Sequence, residues 1–138
     1  MTDPDTPLTD DDYRSLAEFR HALRRFLAFS EGAARDHDIT PAQHQLLLAI
    51  RGSASGRQPS TSELAEALQL RLHSVGGLID RAEANGYVER RIDPGDARRT
   101  LLTLTEHGQS LLDSLSVLHR SELRTFRTEL AAILDQLN

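Results

Sequence analysis

From Tyr13 onward, apolar residues recur at steps of three and four. Leu16, Phe19, Leu23, Phe26, Leu27 and Ser30 share one face and predict a long first helix ending near Gly32. Residues 1–12 carry Pro4, Pro7 and a run of aspartates and read as an acidic flexible tail. Thr40-Pro41-Ala42-Gln43 is a helix start: Thr40 can cap, Pro41 suits the first helical position, and Gln43 completes a capping box. This helix turns Leu46, Leu47 and Ile50 inward and stops at Gly52. Residues 52–59 form a Gly/Ser/Pro-rich loop. Ser60-Thr61-Ser62-Glu63 is a second capping box, opening a short helix through Leu64, Ala65 and Leu68. After a brief turn at Gln69 to Leu72, another helix runs to about Asn85, where Gly86 suits its end.

The period then changes from 3.6 to 2. Residues 87–92 and 100–104 read as two strands, and Asp93-Pro94-Gly95-Asp96 between them as a type II turn. Thr105 caps a last helical region. Leu111, Leu112, Leu115 and Leu118 line one stretch of it, and Leu123, Phe126, Leu130, Ile133 and Leu137 line another. The predicted fold is mainly α with a small β-hairpin, a winged helix-turn-helix flanked by N- and C-terminal helices. Residues 40–104 form the lobe and 13–138 a single domain.

In a helix-turn-helix, the first helix packs across the second and leaves the outer face of the second free for the DNA major groove. Leu64, Leu68, Val75, Leu78 and Ile79 supply that packing, and Arg71, His73, Ser74, Gly77 and Arg81 are the expected exposed positions. Ser60 and Thr61 are expected at the DNA backbone. Gly76 and Gly77 each cost roughly 1 kcal/mol against alanine inside a helix. Either another body comes close there, or packing covers the cost. Arg90, Arg91, Arg98 and Arg99 cluster on the hairpin with Asp93 and Asp96 between them. An arginine on a projecting tip can enter the narrow minor groove, and a neighbouring aspartate can hold it extended. A solvated, salt-bridged hairpin explains the same cluster.

Net charge changes the picture little. The chain's −5 is matched by the five aspartates before residue 13, and all 16 basic residues are arginine. Arginine presents a planar fork suited to phosphates and guanine edges, although codon usage explains the absence of lysine equally well. With no cysteine, disulfides, thiolate catalysis and thiol redox sensing are excluded. No apolar run is long enough to span a membrane, no export signal is evident, and a cytoplasmic location is expected. The six histidines show no metal-ligand spacing, and no catalytic constellation or phosphate loop stands out, so neither metal, cofactor nor enzyme activity is expected.

The run Ser62-Glu63-Leu64-Ala65-Glu66-Ala67-Leu68 is followed by Ile79-Asp80-Arg81-Ala82-Glu83-Ala84-Asn85-Gly86-Tyr87-Val88-Glu89-Arg90-Arg91. Beyond it lie Asp93-Pro94-Gly95-Asp96-Ala97-Arg98, Leu102-Thr103-Leu104-Thr105 and Gly108. Together they resemble the multiple-antibiotic-resistance regulator (MarR) family over about residues 13–138. Two departures stand out. Gly76-Gly77 occupy places where members often carry Thr-Arg, and Ala82 replaces a leucine.

The resemblance implies a homodimeric regulator of transcription on double-stranded DNA, with Asp96 and Arg98 as its wing element. It implies dimerisation through residues 13–36 and 106–138. Tyr13, Leu16, Leu115, Leu118, Leu123, Phe126, Leu130, Ile133 and Leu137 are the candidates for that seam. It also implies a small anionic or aromatic effector, with Arg20, His21, Arg24, His44 and His119 as candidate contacts. The rival class is a winged-helix protein-interaction module that has lost DNA binding.

Overall fold

The computed structural model describes residues 3–54 and 57–137. The order is α1 (Asp10–Asp36), α2 (Pro41–Arg51), α3 (Thr61–Leu68), α4 (Leu72–Ala84), β1 (Val88–Asp93), β2 (Asp96–Leu104) and α5 (Glu106–Gln136). The two apolar stretches at the C-terminus belong to one continuous helix of 31 residues. The chain divides into two compact units, one of residues up to 33 and from 117 on, the other Ala34–Ser116. None of the helices described is long and apolar enough to cross a membrane.

Helix α1 starts three residues before Tyr13. Thr9 Oγ1 accepts the Asp12 N–H at 3.1 Å, and Asp12 Oδ2 accepts the Thr9 N–H at 3.0 Å, a reciprocal cap with Asp in the role of Glu. Asp10, Asp11 and Asp12 fill the first turn, where the helix dipole favours negative charge. Part of the expected acidic tail is thus a helix N-terminus. The helix also runs past Gly32. It stops where Asp38 takes φ 58° and the Ile39 N–H bonds Ala34 O at 3.0 Å.

In the Ala34–Ser116 unit, Leu46, Leu47, Leu64, Val75, Ile79, Val88 and Leu102 are exposed by 2% or less and form the core. Ala82, the small replacement for leucine, is fully buried. Gln43 departs from the expected capping box. Thr40 Oγ1 accepts the Gln43 N–H at 3.1 Å, but the Gln43 side chain points inward and donates to Leu78 O at 3.0 Å. A buried carbonyl in mid-helix attracts it more than the exposed N-terminus of its own helix, and α2 is thereby tied to α4.

Both helix-turn-helix helices end on a left-handed residue. At the end of α3, Gln69 takes φ 55° and the Leu70 N–H reaches Ala65 O at 3.0 Å. At the end of α4, Gly86 takes φ 76°, and the Gly86 and Tyr87 N–H groups bond Glu83 O and Ala82 O. That is a Schellman motif, and glycine adopts its left-handed position without steric cost.

The hairpin pairs Val88 with Leu104, Arg90 with Leu102 and Ile92 with Thr100, with a register shift between Ile92 and Asp93. The expected type II turn is not formed, because Gly95 does not take a positive φ. Asp93 Oδ1 instead accepts the Gly95 N–H at 2.8 Å, an Asx turn that sets the tip without left-handed backbone. Strand β2 therefore begins at Asp96, four residues before Thr100. The residues ahead of α3 join the hairpin too: Leu102 N–H bonds Pro59 O at 2.9 Å, and Ser60 bridges Leu101.

The last helix is anchored where α4 ends. Thr105 Oγ1 donates to Gly86 O and accepts the Gly108 N–H at 3.0 Å. A Cβ on Gly108 would lie 2.1 Å from Tyr87 O. Gly108→Ala is therefore expected to lower stability by about 1–3 kcal/mol or more. A Cβ on Gly76 would meet nothing within 4 Å, so Gly76→Ala is expected to raise stability by up to about 1 kcal/mol. Urea unfolding at fixed protein concentration measures both, and a neutral Gly108→Ala would show that the corner yields.

Candidate nucleic-acid interface

Helix α4 buries Val75, Leu78, Ile79 and Ala82 and turns Arg71, His73, Ser74 and Arg81 to solvent. Arg71 is the N-cap and makes no side-chain cap bond. The first-turn N–H groups of α4 thus remain available to an anion, where the helix dipole favours one. Gly77 lies half-buried on the same side. Leu72, which sequence reasoning assigned to the turn, is the first helical residue and is 56% exposed beside His73. An exposed leucine there can meet a thymine methyl group. Its only sequence signal was an apolar residue out of step with the buried stripe.

The hairpin arginines separate into two kinds. Arg90 pairs with Asp80 and reaches Glu83 at 3.8 Å, so it joins β1 to α4. Arg99 pairs with Glu63 and reaches Asp93 at 3.9 Å, joining β2 to the start of α3. Neither is the free cation expected from the sequence. An exposed guanidinium beside a carboxylate satisfies its charge locally, and both are better described as braces. Arg98 differs. Its side chain is 92% exposed, and Asp96 Oδ1 accepts both the Arg98 N–H at 3.0 Å and its Nε–H at 3.3 Å. Asp96 thereby orients the guanidinium while leaving its Nη groups outward. Arg91 is exposed on the other face of the strand, beside Arg57 and Gln58 of the preceding loop in a notch of about 270 Å³. Arg57 and Gln58 were unmarked in the sequence, because a Gly/Ser/Pro-rich loop shows no spatial neighbour.

Ser60 has a role within the fold. It is buried, and its Oγ accepts the Glu63 N–H and bonds the Glu63 carboxylate, both at 3.2 Å. A hydroxyl so occupied caps α3 and holds its first turn. Thr61, the first residue of α3, is half-buried.

In the other unit, α1 and α5 run antiparallel. Phe26 packs on Phe126 at 5.4 Å between ring centroids, and Arg25 pairs with Glu129. His119 Nε2 lies 2.8 Å from Ser30 Oγ, with the ring edge-on to Phe26 and Phe29. Within its own chain the half-buried His119 thus packs between the helices. His44 is 4% exposed inside the Ala34–Ser116 unit and offers no open edge to a ligand. Arg20 and Arg24 are exposed, and His21 lines a shallow hollow of about 470 Å³ with Arg14, Glu18 and Ile133.

The expected seam divides likewise. Leu115 and Ile133 are buried by their own chain, and Phe126, Leu130 and Leu137 are half-buried. Tyr13, Leu16, Leu118 and Leu123 remain exposed, and the structure adds Leu27, Val117 and Leu134 to them. The periodicity marked two apolar faces per helix as one stripe.

Residues 37–99 match a family model described as MarR family. The chain is 30% identical to the HTH-type transcriptional repressor NicR of Pseudomonas putida, over 83% of this chain and 73% of that protein. Its fold is similar to crystalline wild-type MarR of E. coli in its apo form, at TM-score 0.65 and 26% identity, covering 82% of this chain and 79% of that one. It is also similar in fold to the MepR–DNA complex of S. aureus, at TM-score 0.68 and 23% identity, covering 81% of each chain. With this kinship and a winged helix-turn-helix whose outward face carries the uncapped N-terminus of α4, the chain belongs to the MarR family of transcriptional regulators.

Proposed function

We propose that this protein is a homodimeric, sequence-specific regulator of double-stranded DNA that represses by occluding a promoter. The observation that carries the reading is the contrast within the wing: Arg90 and Arg99 are held by carboxylates of α4 and α3, whereas Arg98 is held outward at the tip. Such an arginine suits phosphate or the minor groove, while the start of α4 suits base edges in the major groove. The kinship with a protein named as a transcriptional repressor, and the fold shared with a regulator crystallised on DNA, support the same reading.

The dimer reading rests on the exposed apolar side chains of α1 and α5: Tyr13, Leu16 and Leu27 on the first, Leu118, Leu123 and Leu134 on the second. Covering that surface with a second copy removes it from water. A twofold dimer fits a pseudo-palindromic operator with half-sites about one helical turn apart. Release by a small anionic or aromatic ligand, which the kinship implies, would draw on Arg20, His21 and Arg24 rather than on His44.

Titration against an enriched duplex and a scrambled one at several salt concentrations separates the two kinds of contact. Arg98→Ala is expected to weaken both and, for a phosphate contact, to lower the salt slope by about one unit. His73→Ala is expected chiefly to lower the ratio of specific to non-specific affinity, by less than the 1–3 kcal/mol or so of a bidentate pair. Unchanged affinities in Arg98→Ala would remove the wing from DNA and favour a protein-interaction module.

Leu16→Glu with Leu123→Glu is expected to give a monomer by sedimentation that no longer binds operator. A truncation after His119 is a poorer probe, since it also removes Phe126 and Ile133 from the packing within one chain. A doubly substituted protein that stays dimeric would place the interface elsewhere.

A further inference from the structure

Arg81 lies four residues after Gly77 on α4, so the two share a face one turn apart. In a helix, side chains lean toward the N-terminus, and that of Arg81 folds back over the preceding turn. Its Nη1 lies 3.7 Å from where a Gly77 Cβ would stand. A Cβ at Gly76 would meet nothing within 4 Å. Packing within the chain therefore requires neither glycine, although both weaken the helix. Among the described residues, no carboxylate pairs with Arg81, in contrast to Arg90 and Arg99 on the hairpin. On the exposed side, Ser74 lies three residues before Gly77 and nearly in line with Arg81 along the helix.

We propose that Arg81 is a further specificity-determining residue of α4, reading a guanine in the major groove with its guanidinium seated over the open turn at Gly77, and that Gly77 is its positioning residue. The proposal rests on α4 entering the groove as proposed above, with its outward face following the groove as far as the last turn, to which Arg81 belongs. A planar fork with two parallel N–H groups matches guanine O6 and N7, and an ammonium at the same place keeps the charge without the fork. A guanidinium reaching from one turn behind needs a strip free of side chains longer than a methyl group along which to lie. The 3.7 Å spacing is ordinary van der Waals contact, so alanine at 77 leaves the arginine in place, whereas a longer side chain displaces it.

The test is selection of duplexes from a random pool by the full-length protein and its variants, followed by titration against the enriched and scrambled duplexes. Wild type is expected to enrich a site containing a guanine that Arg81→Lys and Arg81→Ala no longer require. The affinity ratio for guanine over adenine at that position should fall about tenfold or more. Arg81→Lys should keep its affinity for scrambled duplex. Gly77→Ala should select as wild type does. Gly77→Leu should lose the same guanine, and adding Arg81→Ala to it should cost nothing further. Far-ultraviolet circular dichroism and thermal midpoints establish that each variant is folded. An unchanged preferred site in folded Arg81→Lys overturns this assignment and leaves DNA recognition standing. A wild-type protein that enriches no sequence overturns both.

Discussion

The carbonyl oxygen of Tyr87 occupies the space a side chain on residue 108 would need, 2.1 Å from the position of a Cβ there. Around that contact four elements change direction. Helix α4 is closed by the left-handed Gly86, β1 leaves after Tyr87, β2 ends just before Thr105, and α5 starts just after it. Thr105 accepts from Gly108 and donates to Gly86 O, while its own N–H bonds Tyr87 O at 3.0 Å. Three requirements meet at one point: a left-handed residue at 86, a hydroxyl cap at 105 and no side chain at 108. The direction of the hairpin relative to α4 follows from them, and so does the direction in which α5 departs.

The charges of the lobe work on that frame through position rather than stability. Exposed ion pairs are each worth at most about 1 kcal/mol. Yet Asp80 and Glu83 hold Arg90 on one side of the hairpin, and Glu63 and Asp93 hold Arg99 on the other. These carboxylates hold Arg90 and Arg99 against the lobe, while Arg98 and Arg81 stay exposed. A chain of net charge −5 can thus present cations where an anionic partner would lie, since the balance that matters is local. The buried bond from Gln43 to Leu78 O supports the same geometry from the inside, fixing α4 against α2.

The long helices divide their apolar residues between two surfaces. Phe26 and Phe126 meet within the chain, and Ala22 and Ile133 are buried with them in that unit. Leu16 and Leu27 on α1, and Leu118, Leu123 and Leu134 on α5, stay in water in a single copy. A helix whose apolar positions span more than one stripe has a second surface to cover, and this is where a partner copy has most to gain.

Much of the architecture was legible in the sequence because local chemistry determines it. Thr40, Ser60 and Thr105 accept N–H groups three residues on, Gly86 supplies the left-handed stop, and the switch from period 3.6 to period 2 marks the hairpin. Each signal lies within a few residues of its effect. The N-terminus of α1 was misplaced because Asp12 acting as the reciprocal cap of Thr9 looks like one more acid in a tail. The turn type was missed because Asp93 competes for the Gly95 N–H that a proline–glycine pair suggests is free. What the sequence could not contain is which charges find partners. Arg90, Arg91, Arg98 and Arg99 are alike in a string. They differ only once Asp80, ten positions before Arg90, and Glu63, 36 positions before Arg99, are brought beside them. Helical spacing likewise reports that a side chain is apolar, but not whether its own chain or another copy covers it. The sequence determined the type and order of the elements, and the tertiary structure decided which side chains were left over, because pairing and burial depend on distances that only packing creates.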